Sequence, residues 1–251
     1  MTANAHIPGL DGPSAIGLYD PSQEHDACGV GFVAAIDGEP RRDVVEKGIE
    51  ALKAIWHRGA VDADGMTGDG AGIHLQIPQG FFKDHIERTG HRPGEGRLAV
   101  GMIFLPRADF GAQEACRGIV ETEILRFGYR IYGWRQVPVN TSVLGEKANA
   151  TRPEIEQIMV ANTTGTDEEA FERDLYIIRR RIEKAVAAAQ VTGFYVCSLS
   201  CRSVIYKGMM LAEQVASFFP DLESPDFISA FAIYHQRYST NTFPQWSLAQ
   251  P

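Results

Sequence analysis

The residues with the most distinctive chemistry lie in the segment His25-Asp26-Ala27-Cys28-Gly29-Val30-Gly31-Phe32. A cysteine ahead of an apolar run is most often a small buried hydrophobe. Two features move Cys28 away from that reading. Gly29 and Gly31 remove side chains beside the thiol, so backbone N–H groups and a substrate can come close. Residues 1–27 carry no core-forming pattern and are punctuated by Pro8, Gly9, Gly12, Pro13 and Pro21, so they read as a dispensable leader. Its removal gives Cys28 a free α-amine. Such an amine titrates at about 7.7–8.0, against about 10.4 for lysine, and can take a proton near neutral pH. A thiol of pKa about 8.5 beside that base becomes a nucleophile without a histidine. The chemistry this points to is attack on a carboxamide, a thioester, then hydrolysis. The competing arrangement is a Cys–His pair using His57 or His235.

A second group of reactive types is His235-Gln236-Arg237-Tyr238-Ser239-Thr240-Asn241-Thr242, which follows an apolar run. A strand end that turns abruptly polar is a common way to build the rim of a site. The Arg237 guanidinium is a planar fork matched to a carboxylate, so it is the candidate grip for the α-carboxylate of an amino acid. Thr240 adds a hydroxyl or backbone contact. Other signals carry less. Gly68-Asp69-Gly70-Ala71-Gly72 lacks dinucleotide-loop spacing and reads as a turn bordering the site. Cys197 and Cys201, expected to share one strand face, read as core thiols, as does Cys116, and no metal site is expected. Arg179-Arg180-Arg181 with Lys184 reads as the solvated end of a helix.

The elements that must position these residues follow from periodicity. Strands are expected at Val30–Ile36, along Ile73, Leu75 and Ile77, at Leu98–Leu105, Tyr129–Trp134, Glu156–Val160, Phe194–Leu199, Val204–Tyr206 and Phe227–Tyr234. Helices are expected at 43–57, where Val45, Ile49, Leu52 and Trp56 recur at helical spacing, at Arg117–Phe127, and at Asp167–Ala189. Strands in runs separated by helices indicate a layered α+β domain.

Composition narrows the partners. The chain has 251 residues, 32 acidic against 24 basic, and a formal net charge of −8. That weighs against nucleic acid and anionic membranes, which reward basic patches. The leader is no secretory signal, and no apolar stretch approaches the roughly 18–20 residues that span a bilayer. Four scattered cysteines suit reduced thiols in a cytoplasmic protein.

The two reactive segments together resemble the class II glutamine amidotransferases, N-terminal-nucleophile hydrolases of which many carry Cys-Gly-x-x-Gly at the mature start and His-x-Arg-x-Ser-Thr further on. In Cys28-Gly29-Val30-Gly31-Phe32 the second glycine falls one residue earlier than in the general form, which is similar to the glutamate synthase branch. So are His57-Arg58-Gly59-Ala60, Asp64-Gly65-Met66-Thr67-Gly68-Asp69-Gly70-Ala71-Gly72-Ile73, and Tyr234 to Trp246.

The resemblance implies a four-layer αββα sandwich, with 1–27 as leader and 28–251 as the amidotransferase domain. It implies glutamine hydrolysis by Cys28, with glutamine held by Arg237 and Thr240. No cofactor is implied in this segment. FMN and an iron–sulfur cluster are implied for the full-length chain, and FAD and NADPH for a partner small subunit. Ammonia would pass to the remaining domains of the parent chain for amination of 2-oxoglutarate to glutamate. The family's oxyanion hole uses an Asn-Gly pair, and this sequence has none, so a truncated domain is expected. The alternatives are an inactive glutamine-binding or structural remnant, or a different class II amidotransferase.

Overall fold

The computed structural model describes residues 29–238 and 242–251; the expected leader lies outside them. The elements in chain order are β1 (Val30–Ala34), α1 (Arg42–Ala54), β2 (Ala71–Gln76), α2 (Gln79–Arg88), β3 (Leu98–Leu105), α3 (Phe110–Arg126), β4 (Arg130–Gln136), α4 (Glu146–Ala150), β5 (Glu154–Ala161), α5 (Glu168–Ala188), β6 (Tyr195–Ser200), β7 (Ser203–Gly208), α6 (Gln214–Phe218) and β8 (Phe231–His235). The strands form two four-stranded sheets, ordered β1-β8-β2-β7 and β4-β5-β3-β6. Every pairing is antiparallel. The domain is therefore α+β, consistent with the expected sandwich.

The uninterrupted apolar run of β3 has a direct cause. All eight of its residues are buried, because its two faces belong to different cores. Leu98, Val100, Met102 and Phe104 join the core containing the first sheet and α1. Ala99, Ile103 and Leu105 join a second core with residues of α3 and α5. A strand covered on both faces loses the period-two alternation of a half-exposed one. Helix α1 buries Val44, Val45, Ile49 and Leu52 on one stripe, with Asp43 in its first turn and Lys53 in its last, as the macrodipole favours. Asp167 caps α5 by accepting from the Ala170 N–H at 2.7 Å.

A buried polar network crosses between the sheets. Arg135 of β4 donates to both carboxylate oxygens of Asp221, at 2.7 and 2.6 Å. The hydroxyl of Tyr206, on β7, donates to Asp221 at 2.9 Å and accepts from Gln157 of β5 at 3.0 Å. All members are partnered, as a buried network must be to avoid a large desolvation cost.

Five expectations change. Helix α2 has no counterpart in the sequence reading, because only Phe82 and Ile86 of it are buried. Helix α3 begins at Phe110 rather than Arg117, since Asp109 accepts from the Ala112 N–H at 2.9 Å and starts it. Strand β8 begins at Phe231; Phe227 sits in a turn, donating its N–H to Ser224 O at 3.1 Å. Cys197 and Cys201 do not share a face. Cys197 lies in the first core and Cys201, past the end of β6, in the second. The basic run is also mid-helix rather than terminal. Arg179 donates to Val196 O at 2.9 Å and Arg181 to Glu123 at 2.5 Å.

Candidate active site

The end of the first sheet brings together segments far apart in sequence. Val30 pairs with His235, and Gly72 pairs with His235 from the other side. β8 thus lies between the residues that follow Cys28 and the glycine-rich turn that precedes β2. Beyond the strand end, the Gln236 N–H donates to Gly29 O at 2.7 Å. A Cβ on Gly29 would stand 2.6 Å from Gln236 O, so only glycine permits this approach. On the opposite flank Gly70 has φ +148, and a Cβ there would stand 3.0 Å from Arg237 O. Both glycines therefore serve one purpose, which is to let backbone close around residues 236 and 237.

Arg237 is exposed at this rim, with its guanidinium available to a ligand. Its backbone is fixed: the Gln250 N–H donates to Arg237 O at 3.1 Å, and Tyr238 forms a bridge with Ala249. Cys28 and Thr240, the other two expected site residues, lie outside the described residues. Cys28 is nonetheless one peptide bond from Gly29, and Thr240 three residues beyond Arg237.

Three buried groups here have atoms unpaired among the described residues. Gln236 is 1 % exposed, and its side-chain N–H donates to Trp56 O at 3.1 Å while its Oε1 has no partner. Arg58 Nε is buried and unpaired. Asp69 is 6 % exposed, and neither carboxylate oxygen has a partner. Burial pushes the Asp69 carboxyl above its ordinary pKa, and the nearby Ala60 backbone and then the charge of Arg237 oppose that rise only in part. Buried polar atoms are normally satisfied, so a cluster of exceptions marks a place with a task other than packing.

Sequence reasoning placed the turn containing Asp69 at the border of the site but did not single out the aspartate or Gln236.

The two histidines of the competing arrangement differ. His57 is exposed in a short 3-10 turn, its ring against Trp56. His235 is half-buried at the end of β8. Burial lowers its pKa, against a hydrogen bond with the Gln250 side chain, so its imidazole is neutral near pH 7. Cys197 and Cys201 are pushed up to about 12, chiefly by burial, and burial also raises Cys116. None of these three is poised as a thiolate. Among the described residues no cluster of metal-ligating side chains occurs, and no helix is long and apolar enough to cross a membrane.

Residues 28–251 match the family described as "Glutamine amidotransferases class-II". The chain is 72% identical over 233 residues to the "Glutamate synthase [NADPH] large chain" of Azospirillum brasilense, covering 93% of this chain and 15% of that protein. It is 44% identical over 230 residues to "Ferredoxin-dependent glutamate synthase 2" of Synechocystis, covering 91% and 14%. It is 40% identical over 244 residues to the "Glutamate synthase [NADPH] large chain" of Bacillus subtilis, covering 95% and 16%. The chain thus spans about one seventh of the length of these relatives.

Proposed function

Because the chain belongs to the class II glutamine amidotransferases, we propose that residues 28–251 form the glutamine-hydrolysing part of a glutamate synthase large chain, of the NADPH type. The observation that carries the reading is the close seating of Gly29 against Gln236, with Arg237 next. It brings the residue after the candidate nucleophile beside the residue before the candidate carboxylate grip. The match starting at residue 28 supports a boundary there, with 1–27 as a leader removed to free the Cys28 amine.

In the proposed reaction that amine takes the Cys28 thiol proton. The thiolate attacks the carboxamide carbon of glutamine, the proton goes to the departing nitrogen, and ammonia leaves. Water, deprotonated by the same amine, then cleaves the thioester to release glutamate and restore the thiol. Arg237 holds the α-carboxylate by charge-assisted hydrogen bonds, and Thr240 adds a polar contact. In the parent protein the ammonia aminates 2-oxoglutarate. FMN and an iron–sulfur cluster lie in its other domains, and FAD and NADPH on a small partner subunit. None of them is assigned to residues of this segment. Sparse, reduced thiols support a cytoplasmic setting.

The test is glutaminase activity of the full-length protein with Cys28→Ala beside wild type. Loss of the nucleophile should lower kcat at least about a thousandfold. A variant that retains activity would overturn the role given to Cys28.

A further inference from the structure

Lys207 of β7 is 4 % exposed, and no ion pair joins it to a carboxylate among the described residues. Burying an ammonium costs several kcal/mol unless its donors are used. All three of its N–H donors are used. Nζ donates to Tyr195 Oη at 3.2 Å, to Ser247 O at 3.0 Å and to Ala249 O at 2.7 Å. It also stands 4.6 Å from the centroid of the Tyr195 ring. Two of the three acceptors are backbone carbonyls of one segment, residues 247–249.

That segment holds Arg237. Ala249, whose carbonyl Lys207 grips, pairs with Tyr238. Gln250, the next residue, donates its N–H to Arg237 O at 3.1 Å. The same segment is held on its other side by Trp246, whose indole N–H donates to Ala148 O at 3.0 Å. Carbonyls cannot be replaced by ordinary substitution, so a buried cation is an effective way to fix such a segment in one position.

We propose that Lys207 is a positioning residue for substrate recognition: it anchors residues 247–249, which fix the backbone of Arg237 and so aim its guanidinium at the substrate carboxylate. The inference rests on the glutaminase reading given above. Removing the ammonium frees the segment, and Arg237 then grips the α-carboxylate less well. Groups that act only on the carboxamide are untouched, so the loss falls on carboxylate recognition.

The experiment uses the full-length protein carrying Lys207→Met, which keeps the apolar stem and removes the charge. Hydrolysis of glutamine is compared with that of 4-aminobutanamide, which has the carboxamide but no α-carboxylate. In wild type the ratio of kcat/KM values favours glutamine. In Lys207→Met the KM for glutamine should rise about tenfold while kcat stays within about threefold, and the ratio should fall by a similar factor. An unchanged ratio, or equal losses on both substrates, overturns the proposal. Lys207→Arg keeps a charge and guards against a Met variant that does not fold; it should lower the ratio about threefold, and an unchanged ratio there is equally contrary. Cys28→Ala is assayed alongside. If wild type does not hydrolyse glutamine the glutaminase reading fails, and if Cys28→Ala stays active the role of Cys28 fails, whereas an active wild type and inactive Cys28→Ala with an unaltered Lys207 ratio defeat only the present proposal.

Discussion

Gln236 and Gly29 are joined by a backbone hydrogen bond of 2.7 Å across the ends of β8 and β1. Residues more than two hundred positions apart in sequence thereby become neighbours, and each adjoins a candidate site residue. The first sheet works as a clamp that closes one end of the chain on the other. The pairing of Val30 with His235 sets its register. A shift of one residue would turn the side chains of β1 to the opposite face.

Arg237→Lys should raise the KM for glutamine by about tenfold to a hundredfold with a smaller effect on kcat. A bidentate charged hydrogen-bond pair is replaced by a single point charge, a difference of about 1.5–3 kcal/mol. Steady-state kinetics on the full-length protein check this, and a KM within twofold of wild type would exclude the carboxylate grip.

Asp69→Asn should raise the melting temperature at neutral pH. The folded pKa of Asp69 is raised by burial, so its protonated form is compatible with the fold, and stability is lost as pH rises through the folded pKa and the buried group ionises. The advantage of the asparagine variant should narrow as pH falls below that value. Thermal melts across pH 4–8 read the effect, and a variant less stable than wild type at pH 7 would show that the charge is paired in the native protein.

Arg135→Met should lower stability by about 3–5 kcal/mol, because it leaves the Asp221 carboxylate buried without its cation. Asp221 is 4 % exposed, so water does not replace the lost partner. Urea unfolding measures the difference. The double variant Arg135→Met/Asp221→Leu should recover part of it.

Much of this architecture is legible in the sequence for a physical reason. Strands such as β3 and the capped helix α5 are specified by local patterns of burial and capping. The candidate nucleophile and the arginine are legible because glycines beside a cysteine, and arginine after an apolar strand, are unusual local chemistry. Asp69, Gln236 and Lys207 are not legible in that way. Their roles depend on which backbone returns to meet them, and Lys207 in particular is distinguished only by the two carbonyls of residues 247 and 249 that close over it. The faces of Cys197 and Cys201 were misread for a related reason. β6 ends at Ser200, whose Oγ accepts from the Arg202 and Ser203 N–H groups at 2.9 and 3.2 Å, and the chain turns before Cys201 can continue the alternation.

The most direct measurement treats the full-length protein with a glutamine analogue bearing an electrophile at the carboxamide carbon, then maps the adduct by peptide mass spectrometry. The expected result is one adduct, on a peptide that begins at Cys28, suppressed by excess glutamine. Cys116, Cys197 and Cys201 should stay unmodified until the protein is denatured, since burial holds their thiols protonated. An adduct on any of those three in the native protein, or full activity in a chain that still begins at Met1, would contradict the central claim.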